Sequence, residues 1–321
     1  MSISTSSKRI EYQNDWPTKI DFSAELEFQK KIEAAGGLAP FKTGKLTNVN
    51  SKDFHIYVGN LIDGLDALPH RPDYLFDHCF RIIDASSKTL TKKKKTTFAI
   101  SEVNLNIFST GKADWDQIAD LMCKHMPTST ASYIATRLLD ASLGKGTDAG
   151  AIVARGEKCI SSKRFTEATK KYTYANYSGP GVAVNKFASF IRLLLKTSTP
   201  LKKTTKNSSS PSASTSNFST LDLTKSANLL SKEDKIQFII TLLLFTMRNE
   251  RQHGSSVSPF RTSKANLGRY ASYYYAMICS YIIALGVVST GFPKAISSSA
   301  ILTNAQDNFA EFSKFFGSNA K

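Results

Sequence analysis

Cysteine is scarce in this chain, with four in 321 residues, and Cys79, Cys123, Cys159 and Cys279 lie far apart with no CxxC spacing. That argues against a zinc knuckle or a disulfide framework and points to a reducing compartment. Long apolar runs are also missing. Ile236 to Met247 and Ala276 to Val288 cover only twelve and thirteen residues, against the roughly 20 that a membrane-spanning helix needs. The opening MSISTSSKRIEYQND has no apolar core of the kind a secretory signal carries. A cytoplasmic protein with no membrane partner is therefore expected. Period-two alternation is rare, and only Thr96 to Phe108 leaves a choice between strand and helix. Acidic residues are short as well. Twenty-six stand against 42 Lys and Arg, giving a formal charge of +16 and a pI near 9.6. A polyanion, nucleic acid or an anionic surface, suits that balance. Arginine is the rarer base, 11 against 31 lysines. Lysine provides a diffuse field, whereas each arginine can make a forked, directional contact.

What the chain does have is helical periodicity. Phe22 to Ala35 stops at Gly36-Gly37, and Ser51 to Leu65 follows. Pro72 opens a helix over Asp73 to Leu90, with Phe76, Cys79, Phe80 and Ile83 at helical spacing. Ala113 to His125 closes at Pro127, and Ser129 to Leu143 ends before Gly144. Arg164 to Tyr177 and Val182 to Lys196 flank Ser178-Gly179-Pro180-Gly181. From about 197 to 225 the chain is mostly Ser, Thr and Lys with few large apolar residues, the composition of a flexible linker. Ser231 then caps a helix running to His253, where Gly254 stops it. Ser263 to Val288 and Asn304 to Phe316 complete an all-α class.

The segment with chemical content is IQFIITLLLFTMRNERQHGSS, Ile236 to Ser256. An apolar helix ends abruptly in Arg248, Asn249, Glu250, Arg251, Gln252 and His253. On an α-helix Asn249 and His253 lie about 40° apart, with Arg248 about 100° from Asn249. Polar heads on one side of a helix anchored by its apolar turns are held by a rigid element, as a catalytic group should be. Cleaving RNA without a metal requires a proton taken from the ribose 2′-hydroxyl, charge stabilised on phosphorus oxygens and a proton given to the leaving 5′-oxygen. Histidine titrates near neutrality and suits proton transfer. Arg248 suits the phosphate, and Asn249 would orient the imidazole or bind substrate. Arg251 is either a second phosphate ligand or a solvated charge. The bland alternative is a helix C-terminus whose Arg and His interact with the last carbonyls and the helix dipole; it gives no reason for the Asn.

FTMRNERQHG resembles the signature of the HEPN superfamily: an Arg, a polar residue often Asn, and a His four to six positions beyond the Arg. Arg71 and His78 satisfy a similar spacing, but Arg71 precedes Pro72 and has no Asn after it. The resemblance covers about ten residues directly and implies a HEPN-like helical bundle over 71–321, interrupted at about 197–225, with 1–70 as an N-terminal helical extension. It also implies a metal-independent endoribonuclease without cofactors, acting on RNA as a homodimer whose two motifs share a cleft. The settings in which the family occurs, toxin–antitoxin, phage-defence and RNA-processing systems, add an antitoxin or regulatory protein as a partner. The alternative is a non-catalytic HEPN-type module that binds RNA or protein.

In that family the motif faces an earlier helix, here 73–90. Its acids Asp77 and Asp84 are candidates to support the Arg or His, with Asp84 favoured because it lies one residue past the apolar stripe; both also fit ordinary surface acids. Lys92, Lys93, Lys94 and Lys95 form a run that fits either RNA phosphates or a solvated loop. Tyr270, Tyr273, Tyr274 and Tyr275 suit core packing better than base stacking. His55, His70, His78 and His125 share no ligand spacing, so no metal is assigned.

Overall fold

The computed structural model describes residues 4–92, 95–100, 102–202, 218–253 and 258–320. Helices account for its regular structure, and no strand occurs among the described residues, so the all-α class holds. The chain divides into two compact units, Met1–Ile118 with Met247–Lys321, and Ala119–Thr246.

The first unit contains α1 (Thr5–Asn14), α2 (Ser23–Ala34), α3 (Lys52–Leu65), α4 (Pro72–Thr91), the short α5 (Thr96–Ile100) and α6 (Val103–Ser109), and most of α7 (Lys112–Lys124). The stretch that left a choice between strand and helix is thus α5 and α6. Residues 4–70 fall within this unit, and α2 and the stretch after it pack into its core, although α1 buries no residue. Phe28 of α2 stacks on Tyr270 at 4.0 Å, and the Gly44 amide donates to the Tyr281 hydroxyl at 2.8 Å.

The second unit holds the end of α7, then α8 (Thr128–Ser142), α9 (Ala149–Ile160), α10 (Ser162–Lys171), α11 (Pro180–Lys196) and α12 (Lys232–Gln237). Ser231 caps α12 through a reciprocal pair with Asp234, satisfying two otherwise orphaned amides. The helix continues as a π-helical stretch, Phe238–Leu244, in which every residue is buried. α13 (Phe245–Gln252) follows, and returns the chain to the first unit.

The linker expected over 197–225 is described in part, and the described part is ordered against the second unit. Residues 203–217 lie outside the described residues, but both flanks are tied down. The Leu201 amide donates to the Leu223 carbonyl at 3.0 Å. The buried Arg164 donates to the carbonyls of Thr220 and Asn228 at 3.2 and 2.7 Å, and Glu167 accepts from the Thr220 amide. Leu221 and Leu223 are buried. Two leucines and one arginine reaching backbone carbonyls order a stretch that is polar on average.

The first unit is completed by α14 (Leu267–Gly291) and α15 (Ser298–Phe316). α14 is long and apolar enough to cross a membrane, exceeding the thirteen-residue run seen in the sequence, yet its most apolar window is entirely buried within the protein. Its tyrosines are core. Tyr270 is sandwiched between Phe28 and Phe260 with ring planes within 7° of parallel. Tyr274 donates to the Pro69 carbonyl at 2.6 Å. Tyr275 is also buried. The four cysteines are buried and none is in a disulfide, and burial pushes up the thiols of Cys79, Cys123 and Cys159, to about 12 for Cys123 and about 11 for Cys159. Such thiols are inert at neutral pH.

Candidate functional site

The 248–253 segment packs on α4 within the first unit. Along α4, Asp73, Asp77, Phe80 and Asp84 recur at spacings of four, three and four, one stripe of a helix. Arg251 meets the first two. Its Nε donates to Asp77 Oδ1 at 2.9 Å and its Nη2 to Asp77 Oδ2 at 2.6 Å. The same Nη2 lies 3.0 Å from Oδ2 of Asp73, which is fully buried and also receives a two-pronged contact from Arg71 at 2.9 and 2.8 Å. Arg248 lies over the ring of Phe80, 6.0 Å from its centroid. The order of these contacts, 251 with 73 and 77, then 248 with 80, runs the segment antiparallel to α4.

The two arginines are therefore in opposite situations. The Arg251 side chain is 12% exposed. Burial works against its charge, but the hydrogen bonds and fields of Asp77 and Asp73 outweigh burial and hold it more firmly protonated than usual. Arg251 is thus held in an internal ion pair with Asp77 and Asp73 and is not a solvated charge. Arg248 is half-buried and donates through Nη1 to Asn249 Oδ1 at 3.2 Å. No carboxylate pairs with Arg248 among the described residues. Its charge is still available, and Asn249, itself half-buried, orients it.

His253 ends the segment one turn beyond Asn249, its amide donating to the Asn249 carbonyl at 3.0 Å. Its side chain is exposed. The structure thus brings Arg248 and Asn249 into contact and sets His253 at the solvent end of the same helix. Residues 254–257, including the expected stop at Gly254, lie outside the described residues.

Of the two acids considered on α4, Asp77 reaches the segment and Asp84 does not; Asp84 pairs with Lys88 of its own helix at 3.1 Å. Asp73, which the sequence reading missed, shares the stripe with Asp77 and sits at the helix start, where an acid is easily taken for an ordinary dipole partner. In the lysine run, Lys92 adopts a left-handed conformation that ends α4 (φ 56°). Lys92 and Lys95 are exposed, and Lys93 and Lys94 lie outside the described residues. Tyr273 packs beside Arg251, 5.8 Å from guanidinium to ring centroid, and is 9% exposed, so it cannot stack a base as it stands. An open cavity of about 810 Å³ between α2 and α15, lined by Lys31, Leu38, Phe41 and Phe315, shares no residue with the segment.

Comparison with known proteins brings no relative: no family model matches the chain, and no curated protein or solved structure does so either.

Proposed function

We propose that the chain is a metal-independent endoribonuclease of the HEPN type, with Arg248 and His253 as its reacting groups and Asn249 orienting Arg248. The observation that carries this reading is the contrast between neighbouring side chains. Arg251 is neutralised by α4 and fixes the helix end, while Arg248 keeps an unneutralised charge and His253 an exposed imidazole on that same rigid end. A helix end that merely satisfied its own dipole would need no carboxylate-locked arginine beside a free one.

In this reading the imidazole of His253 takes the proton of a ribose 2′-hydroxyl, whose oxygen attacks the adjacent phosphorus. Arg248 stabilises the charge that develops on the phosphorus oxygens. The 5′-oxygen leaves with a proton, giving 2′,3′-cyclic phosphate and 5′-hydroxyl ends. One imidazole cannot readily be base and acid in the same turnover, so a second His253 from a homodimeric partner completes the site. A cytoplasmic setting fits this chemistry, in a toxin, phage-defence or RNA-processing role under an antitoxin or regulatory partner.

His253→Ala should reduce RNA cleavage by about 100- to 10,000-fold, the usual worth of general acid–base catalysis. Its exposure leaves the fold and RNA binding intact. Arg248→Ala should be comparably damaging, and chelators without effect. Cleavage that survives His253→Ala and disappears with a chelator would overturn the mechanism. A purified protein that binds RNA but cleaves none would leave the non-catalytic binding module.

A further inference from the structure

The second unit gathers cations from three helices. Lys124 ends α7 and His125 follows it; Arg192 and Lys196 stand in the last turns of α11; Lys232 and Lys235 open α12. The side chain of Lys235 is fully buried, 0% exposed. Its Nζ donates to Ser198 Oγ at 2.8 Å, and the carboxylate near it, Asp120, stands off at 4.0 Å and is 52% exposed. Lys232 draws on the same Asp120 and the same Ser198 hydroxyl. Arg192 donates through Nη1 to the Thr128 hydroxyl at 2.5 Å, while its Nε is buried with no hydrogen-bond partner.

These groups also feel one another. Burial, then Arg192 and Lys124, lowers the Lys196 ammonium from its ordinary value. Burial, then Lys124 and Lys196, pushes His125 down to about 4. Lys232 and Lys235 thus share the Ser198 hydroxyl and the half-exposed carboxylate of Asp120, and Ser198 lies two residues beyond Lys196, which has Arg192 and Lys124 as its neighbouring cations. A surface of solvated lysines would account for Lys124 and Lys196, which are exposed. It does not account for a guanidinium N–H closed off from solvent without a partner, nor for an ammonium with no exposure whose carboxylate stands 4.0 Å away, because a buried charge is costly unless it is closely paired.

We propose that this cluster on the second unit binds a phosphate group, at a site that shares no residue with the 248–253 segment. A phosphate dianion offers several acceptor oxygens and up to two charges, which matches convergent ammonium and guanidinium donors better than a carboxylate does. The group can come from a terminal phosphate, on a nucleotide or an RNA end, or from a diester in an RNA backbone.

Isothermal titration of the full chain at fixed ionic strength tests this with three probes: pyrophosphate, adenosine 5′-monophosphate and a 5′-hydroxyl oligoribonucleotide. The RNA titration is made in a His253→Ala background. In the double variant Arg192→Gln/Lys196→Gln at least one probe should lose about tenfold or more in affinity, as expected when charge-assisted hydrogen bonds are removed. Loss for pyrophosphate and the nucleotide assigns the site to terminal phosphates; loss confined to the oligonucleotide assigns it to the backbone. Lys196→Gln alone alters an exposed side chain, should leave the ligand-free melting curve unchanged, and should weaken the same probe. No binding of any probe to the wild type, or equal binding to wild type and variants, would overturn the proposal. The readout is binding, so absence of nuclease activity does not affect it.

Discussion

Arg248 and Arg251 are three positions apart and have the same chemistry, yet substitution should separate them cleanly. Arg251 and Asp77 are 12% and 16% exposed and joined by a two-pronged contact. Taking one partner from a buried pair leaves the other charge uncompensated, which costs about 3–5 kcal/mol when burial is complete. Asp73 remains beside Arg251 as a second carboxylate, so Asp77→Asn should destabilise by less, about 2 kcal/mol, measured by urea unfolding. Arg248→Ala removes a half-exposed side chain whose polar partner is its own neighbour Asn249, and should cost under about 1 kcal/mol. Equal destabilisation by the two substitutions would contradict the distinction between a locked and a free arginine. The sequence made the polar helix end legible, because apolar residues stop at Met247. It could not decide between Asp77 and Asp84. They are seven residues apart and share a face, so the one that meets an arginine depends on how far the helices slide past each other, and tertiary packing sets that.

At the scale of whole helices, periodic stripes bounded by Pro or Gly were readable to within a residue or two. α2, α3, α4, α7, α8 and α11 all begin and end near the positions their patterns indicate. The helices that escaped notice have weaker stripes. α1 buries no residue, and the buried stripe of α9, Ile152, Arg155, Gly156, Cys159 and Ile160, has an arginine and a glycine at its centre, so the apolar signal is absent from the first and interrupted in the second. The π-helical stretch Phe238–Leu244 is buried on every side, and a uniformly apolar run carries no phase from which its turns could be read. α14 has the same all-round burial, and its packing depends on small residues. A Cβ placed on Gly286 would stand 2.6 Å from the indole of Trp115, which is itself fully buried. A rigid ring with no exposure cannot move aside as a flexible chain end would. Gly286→Ala should therefore destabilise by about 1–3 kcal/mol despite the better helix propensity of alanine. A thermal melt at or above the wild-type midpoint would show that Trp115 can relax.

At the scale of the whole molecule, the proposed chemistry turns on how many chains make one site. Each chain supplies a single imidazole at its helix end, His253, whereas transesterification needs a base at the 2′-oxygen and an acid at the 5′-oxygen. A two-fold homodimer that presents one His253 from each chain to a common cleft meets both needs. Mixing wild-type chains with His253→Ala chains under conditions of subunit exchange distinguishes this from independent sites. At equal proportions, random pairing leaves about a quarter of dimers with both imidazoles. If the cleft requires both, activity should fall to about a quarter of that of the same total amount of wild type, following the square of the wild-type fraction. If each chain acts alone, it should fall only to about half, in direct proportion. Arg248→Ala chains should behave the same way if both arginines hold the phosphate; a linear response with that variant and a square-law response with His253→Ala would assign the phosphate to one arginine while keeping the proton transfers divided between two chains. A linear response with both variants would remove the physical reason for a dimer.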